Sequence, residues 1–192
     1  MTRLRNLFAE ETGAAIIEFA LVAPVLVVLL LGCFDLGQGI YTKTMLLGSI
    51  EKASRDSTIE SAVTGTLDAK VTAAVQQVAP GATVTFQRSH YSSFTQVRKS
   101  EDFTDTNHDG TCDNGEPFED ANGNGRWDAD MGLVGQGGAR DAVLYKVTVN
   151  YQRVFPLWRL LGQSSTSQLV ASTVLRNQPY TLQAIPAKPG NC

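Results

Sequence analysis

Apolar positions along the chain change rhythm several times. From Ala14 to Phe34 every residue but Glu18 is uncharged, and most are aliphatic. A helix over those 21 residues spans roughly 31 Å, the thickness of a hydrocarbon core. Soluble core helices usually keep one polar face, and this stretch has none. Beyond it, Leu36, Ile40, Leu47, Ile50 and Ala53 recur at helical spacing, which predicts a continuation to about Ile59. Leu67, Val71, Ala74, Val75 and Val78 predict a second helix, stopped by Pro80-Gly81. The period then drops to two. Val84 and Phe86 alternate with Thr83, Thr85 and Gln87, and Val143 to Tyr151 alternate with Lys146, Thr148, Asn150 and Gln152. Leu169–Arg176 is a third β-branched run. Helix, helix, strand, insertion, strand, strand predicts an α+β head on a long N-terminal transmembrane helix.

The sign of the charge splits the chain further. Residues 101–130 hold ten acids and one base, net −9, whereas the whole protein is −3. Such crowding needs neutralisation, or the segment stays solvated and extended. The mild overall acidity argues against nucleic-acid binding. Arg3 and Arg5 precede the apolar run and Asp35 follows it. The positive-inside rule then places the N-terminus in the cytoplasm and the head outside.

Within the acidic segment, Asp105-Thr-Asn107-His-Asp109-Gly110-Thr111-Cys-Asp113-Asn-Gly-Glu116 fits D-x-[DN]-x-[DN]-G-x5-E at every specified position. Ca2+ takes oxygen ligands, and this spacing supplies them. Asp105, Asn107 and Asp109 give side-chain oxygens, Thr111 its carbonyl, Asp113 a direct or water-mediated contact, and Glu116 a bidentate closure. A second match starts at Asp120 and continues through Asn122, Asn124, Gly125, Arg126 and Asp128. It has Met131 where the closing acid should stand, with Glu116, Glu119 or Asp130 as substitutes. The flanks do not form a helix pair, so the pattern points to extracellular-type calcium loops, set against a plain acidic loop. His108 and Cys112 suggest a softer metal only weakly, since His108 falls at a non-ligand position. Cys112 and Cys192 share the outer compartment and could pair.

The front of the apolar run carries a processing signal. Gly13 followed by Ala14-Ala15-Ile16-Ile17-Glu18-Phe19 resembles a prepilin-peptidase site, with cleavage between Gly13 and Ala14 and Glu18 fifth in the mature chain. A carboxylate in hydrocarbon costs about 2.5–3.5 kcal/mol. A neighbouring subunit's α-amine could offset that cost; otherwise Glu18 snorkels to the headgroups. Gly13 to Pro24, Leu29-Leu30-Leu31-Gly32 and Asp35-Leu36-Gly37 together resemble the TadE-like family, pseudopilins of the Tad pilus. A weaker likeness lies in Pro156-Leu157 and Ser172–Tyr180, and the acidic segment looks like an insertion. The resemblance implies a leader (1–13), a transmembrane helix (14–36) and an extracytoplasmic head (37–192) carrying the insertion (101–130). It implies a minor pilin or pseudopilin of the inner membrane, with other pilins, the assembly machinery and prepilin peptidase as partners and no small-molecule substrate. Leu30-Leu31-Gly32-Cys33 faintly resembles a lipoprotein box, which leaves a Cys33-lipidated or permanently anchored calcium-binding surface protein as the alternative.

Nucleophile elbows, phosphate loops, dinucleotide fingerprints and H-E-x-x-H are all lacking. With His90 and His108 alone, acid–base catalysis has little material, and an enzyme is not expected. Phe155-Pro156-Leu157-Trp158-Arg159-Leu160-Leu161 is a dense apolar cluster in a connection. It reads either as core closure or as a contact with a partner or the membrane surface.

Overall fold

A computed structural model describes residues 12–57, 64–138, 140–155, 157–176 and 188–192. Arg3, Arg5, Ile59, Pro156 and the Asn177–Tyr180 part of the C-terminal likeness lie outside the described residues.

Helix α1 runs unbroken over Thr12–Ser57 and contains Pro24. Its two halves live in different surroundings. From Ile16 to Leu30 the large apolar side chains are exposed all round, so this half has no protein core to bury it. The segment is long and apolar enough to cross a membrane, and it fits a single-pass anchor. Pro24 removes one backbone donor, a loss that membrane helices tolerate. Past the apolar run one face turns inward. Asp35, Thr42, Leu46, Ile50 and Ala53 are buried along a single stripe, as a 3.6-residue period requires.

Helix α2 (Thr64–Val78) buries Leu67, Val71 and Val75 at i, i+4 and i+8. Gly81 (φ 75°) then turns the chain in a left-handed conformation. The strands are β1 (Thr83–Tyr91), β2 (Pro117–Asp120), β3 (Leu133–Val134), β4 (Ala142–Gln152), β5 (Thr166–Arg176) and β6 (Lys188–Asn191), with a one-turn helix α3 (Leu157–Leu160) between β4 and β5. The main sheet has the order β3-β1-β4-β5, and its pairs are antiparallel. Val143, Tyr145, Val147, Val149 and Tyr151 alternate inward along β4, joined by Ala171 and Leu175 of β5. They meet Leu46 and Ile50 of α1 and Val71 and Val75 of α2 in one core.

Asp68 of α2 locks that layer. It takes a two-pronged ion pair from Arg88, 2.5 and 3.1 Å, and the Tyr145 hydroxyl donates to it at 2.6 Å. Arg88 and Tyr145 are cross-strand partners, and the guanidinium lies 4.6 Å from the Tyr145 ring centroid. Burial, reinforced by Asp68, pushes the Tyr145 phenol far above its ordinary range.

The acidic segment is folded and forms a small module of its own. Strand β2 lies inside it and pairs antiparallel with β6 from the C-terminus. Thr104 N–H donates to the Pro117 carbonyl, and Glu119 N–H to that of Asp102. Phe118 is buried, and Phe103 meets Trp127 edge-on at 5.6 Å. Cys112 and Cys192 are joined as a disulfide, with Cα atoms 5.8 Å apart, so the chain end is tied to the first loop. The alternation of period two did not reveal β2 and β6, because each has only four residues and the partners lie some seventy residues apart in sequence.

Candidate metal centre

The two predicted loops bend alike at their fourth and sixth positions. In the first, His108 (φ 64°) and Gly110 (φ 81°) are left-handed; in the second, Gly123 (φ 76°) and Gly125 (φ 77°) stand at the equivalent positions. Each bend is held by the opening aspartate. Asp105 Oδ1 accepts from His108 N at 2.6 Å and Asp109 N at 3.2 Å, and Oδ2 accepts from Gly110 N at 2.9 Å. Asp120 repeats the pattern with Gly123 N at 2.7 Å, Asn124 N at 3.1 Å and Gly125 N at 3.0 Å.

The inner positions correspond as well. Asn107 Oδ1 accepts from Asp109 N and Asn122 Oδ1 from Asn124 N, both at 3.0 Å. Asp109 Oδ1 accepts from Thr111 N and Asn124 Oδ1 from Arg126 N, both at 2.8 Å. The amides of Asn107 and Asn122 donate to Asp113 (3.1 Å) and Asp128 (2.7 Å) respectively.

Closure is where the loops part company in sequence and rejoin in space. Glu116 closes the first: Oε1 accepts from Thr106 N at 2.7 Å and Oε2 from Asp113 N at 3.1 Å. In the second loop the same two contacts are made by Glu101. Its Oε1 accepts from Ala121 N at 2.9 Å and its Oε2 from Asp128 N at 3.1 Å. None of the substitutes expected from the sequence fills this place. Glu116 serves the first loop, Glu119 is exposed on β2, and Asp130 accepts from the Tyr91 hydroxyl at 3.2 Å and from Gly132 N. Glu101 escaped sequence reasoning because it precedes its loop instead of ending it. The available signal was the acid pair Glu101-Asp102 opening the segment. Its main chain is fixed on both sides, by Asp128 O accepting from Glu101 N and by Trp127 Nε1 donating to Glu101 O, each at 2.9 Å.

Electrostatics follow the geometry. Glu101 is 1% exposed. Burial pushes its carboxyl up, while the N–H groups of Asp128, Ala121 and Asn122 partly counter the rise. Asp109 is held below the usual carboxylate range, chiefly by the Thr111 hydroxyl and then its N–H. The side-chain oxygens along the two loops come from carboxylates and amides. Among the described residues no group of three His, Cys, Asp or Glu side chains is gathered as a metal cluster. Those oxygens suit a hard cation better than a zinc-like one. His108 falls at the fourth position of its loop, and its ring nitrogen lies 3.3 Å from the Thr106 carbonyl oxygen.

At the other end of the molecule, Gly13 is exposed in α1 with open space around its Cα. The side chain of Ala14 lies outside the described residues. Glu18 is exposed, and Cys33 is a free, exposed cysteine on an unbroken helix.

A long apolar helix feeding a small α+β head fits a single-pass membrane anchor. Residues 13–55 match the TadE-like protein family, so α1 is similar to that family over nearly its whole length. The match ends before α2. The sheet, the weaker C-terminal likeness and the acidic module all lie outside it. No curated protein and no solved structure matches the chain.

Proposed function

We propose that the chain is a minor pilin or pseudopilin of a Tad-type pilus, structural and non-catalytic, with a head stiffened by calcium. The observation that carries this reading is the coincidence of two boundaries. The TadE-like match spans residues 13–55, and that span is the helix whose first half has no protein partner among the described residues. In this reading prepilin peptidase cuts between Gly13 and Ala14. The helix then assembles laterally in the inner membrane with other pilins, and Glu18 pairs with a neighbour's Ala14 amine. The N-terminus faces the cytoplasm and the head faces the periplasm or exterior.

Calcium belongs to the same proposal. Asp105, Asn107, Asp109, Thr111, Asp113 and Glu116 would hold one ion. Asp120, Asn122, Asn124, the Arg126 carbonyl, Asp128 and Glu101 would hold a second. The support is the residue-for-residue likeness of the two loops and the excess of negative charge they gather. The bound ions would supply only charge neutralisation and order, since outside the cell millimolar calcium fills even weak sites.

Protein purified from a host with an active pilus system should begin at Ala14. Glu18→Ala should insert in membranes as well as wild type but recover far less partner pilin from detergent extracts. An intact N-terminus together with undiminished recovery by Glu18→Ala would contradict the pilin reading. It would favour a permanently anchored, or Cys33-lipidated, calcium-binding surface protein.

A further inference from the structure

We infer that the β4–β5 connection, residues 153–155 and 157–162, is an interfacial foot that seats the head on the lipid headgroups of the membrane α1 crosses. The inference rests on the reading of α1 as a membrane anchor.

Depth is the first argument. Phe155 stacks on Phe34, ring centroids 5.7 Å apart and planes 23° off parallel. Leu157 Cδ2 lies 3.6 Å from where a Cβ on Gly32 would stand. Gly32 and Phe34 form the last turn of the apolar run. Whatever touches them sits at the hydrocarbon–headgroup boundary when the run spans a core of about 30 Å.

Composition is the second argument. Val154 is 65% exposed and Leu161 62%, on either side of Trp158 and next to the exposed Arg159. Tryptophan and arginine beside aliphatic side chains are what an interface accommodates, the rings at headgroup level and the guanidinium on phosphate. Charge agrees with this. The connection itself carries Arg153 and Arg159 and no acidic residue. Asp35, the acid that touches it, is ion-paired with Arg153, which leaves Arg159 to meet anionic headgroups.

The third argument is how the foot is fastened. Asp35, the first charge after the run, is 3% exposed. A bare carboxylate at this depth is costly. Arg153 forms an ion pair with it, and Trp158 Nε1 donates to its Oδ2 at 2.6 Å. The Arg153 guanidinium also lies 4.7 Å from the Trp158 ring centroid. The connection is thus clamped to the helix at one depth, while Val154 and Leu161 remain turned outward.

The test uses the full chain in vesicles of phosphatidylethanolamine and phosphatidylglycerol. Trp127→Phe leaves Trp158 as the sole tryptophan. Lipids brominated near the carbonyl should quench its emission several-fold more strongly than lipids brominated near the acyl terminus. Independently, nitroxides are attached at Leu161→Cys and, separately, Val25→Cys, both on a Cys33→Ala background. Oxygen should reach each label better than a water-soluble nickel chelate does. A Leu161 label open to nickel, or shielded from both probes as beneath another subunit, overturns the foot while a lipid-exposed Val25 label upholds the anchor. A Val25 label open to nickel overturns the anchor and the foot with it. Absence of quenching at Trp158 by either lipid also overturns the foot.

Discussion

The sheet-and-helix body and the acidic module solve the same problem by opposite means. The body is held by apolar side chains from four elements, with Leu46, Val71, Val75, Val147 and Val149 almost without solvent contact. The module buries little apolar surface beyond Phe118 and is held by carboxylates gripping backbone N–H groups, a disulfide and one short strand pair. Burial of apolar area involves no ionising group and no specific cation, whereas a carboxylate-built fold answers to both pH and bound cations. The two regions should therefore fail under different insults.

The largest effect is expected in the body. Leu46→Ala removes a fully buried side chain at the contact of α1 with the core and should cost about 2–5 kcal/mol. Denaturant unfolding would measure the loss, and the increment in stability from calcium should be unchanged. A variant that lost its calcium response as well would show that the two regions are one cooperative unit.

Chelation should do the reverse. A ligand that binds only the folded state adds about 2.7 kcal/mol at a hundredfold excess over Kd, so melting should rise with calcium and fall with chelator. Magnesium should substitute poorly because it demands a tighter octahedron. Glu116→Gln and Glu101→Gln should each remove roughly half the calcium response, and the double variant nearly all of it.

Asp68→Ala comes next. It strands the Arg88 guanidinium and the Tyr145 hydroxyl in a half-buried site and should cost about 1–3 kcal/mol, again with the calcium response intact. The smallest effect sharpens the comparison through pH. The Tyr145 phenol lies well above the ordinary tyrosine value of 10.0 in the folded protein. A raised pKa gives stability that is complete below pH 10.0 and drains away as pH climbs from there toward the folded value. Tyr145→Phe should be less stable than wild type near neutrality by about 1 kcal/mol and lose less stability in strong alkali. An identical alkaline decline in both proteins would remove Tyr145 from the account.

Legibility in the sequence followed the same division. Both long helices and all three long strands were readable, because burial imposes a period and the period survives in the residues. Leu67, Val71 and Val75 on α2 and Val143 to Tyr151 on β4 are buried where the alternation put them. In the module the turns at Gly110 and Gly125 were readable from spacing, since glycine suits a left-handed backbone. Glu101 was not, because its role is defined in space, by the N–H groups of Ala121 and Asp128. Neither β6 nor the Asp35–Arg153–Trp158 clamp has a local pattern either; each joins segments far apart along the chain.

The paired-loop account is tested most directly by counting ions. Native mass spectrometry of the full chain in detergent at millimolar calcium should show two bound ions per chain. It should show one in Glu101→Gln, one in Glu116→Gln, and none when both are replaced. No bound calcium in the wild-type protein, or a Glu101→Gln variant that still carries two ions, would contradict it.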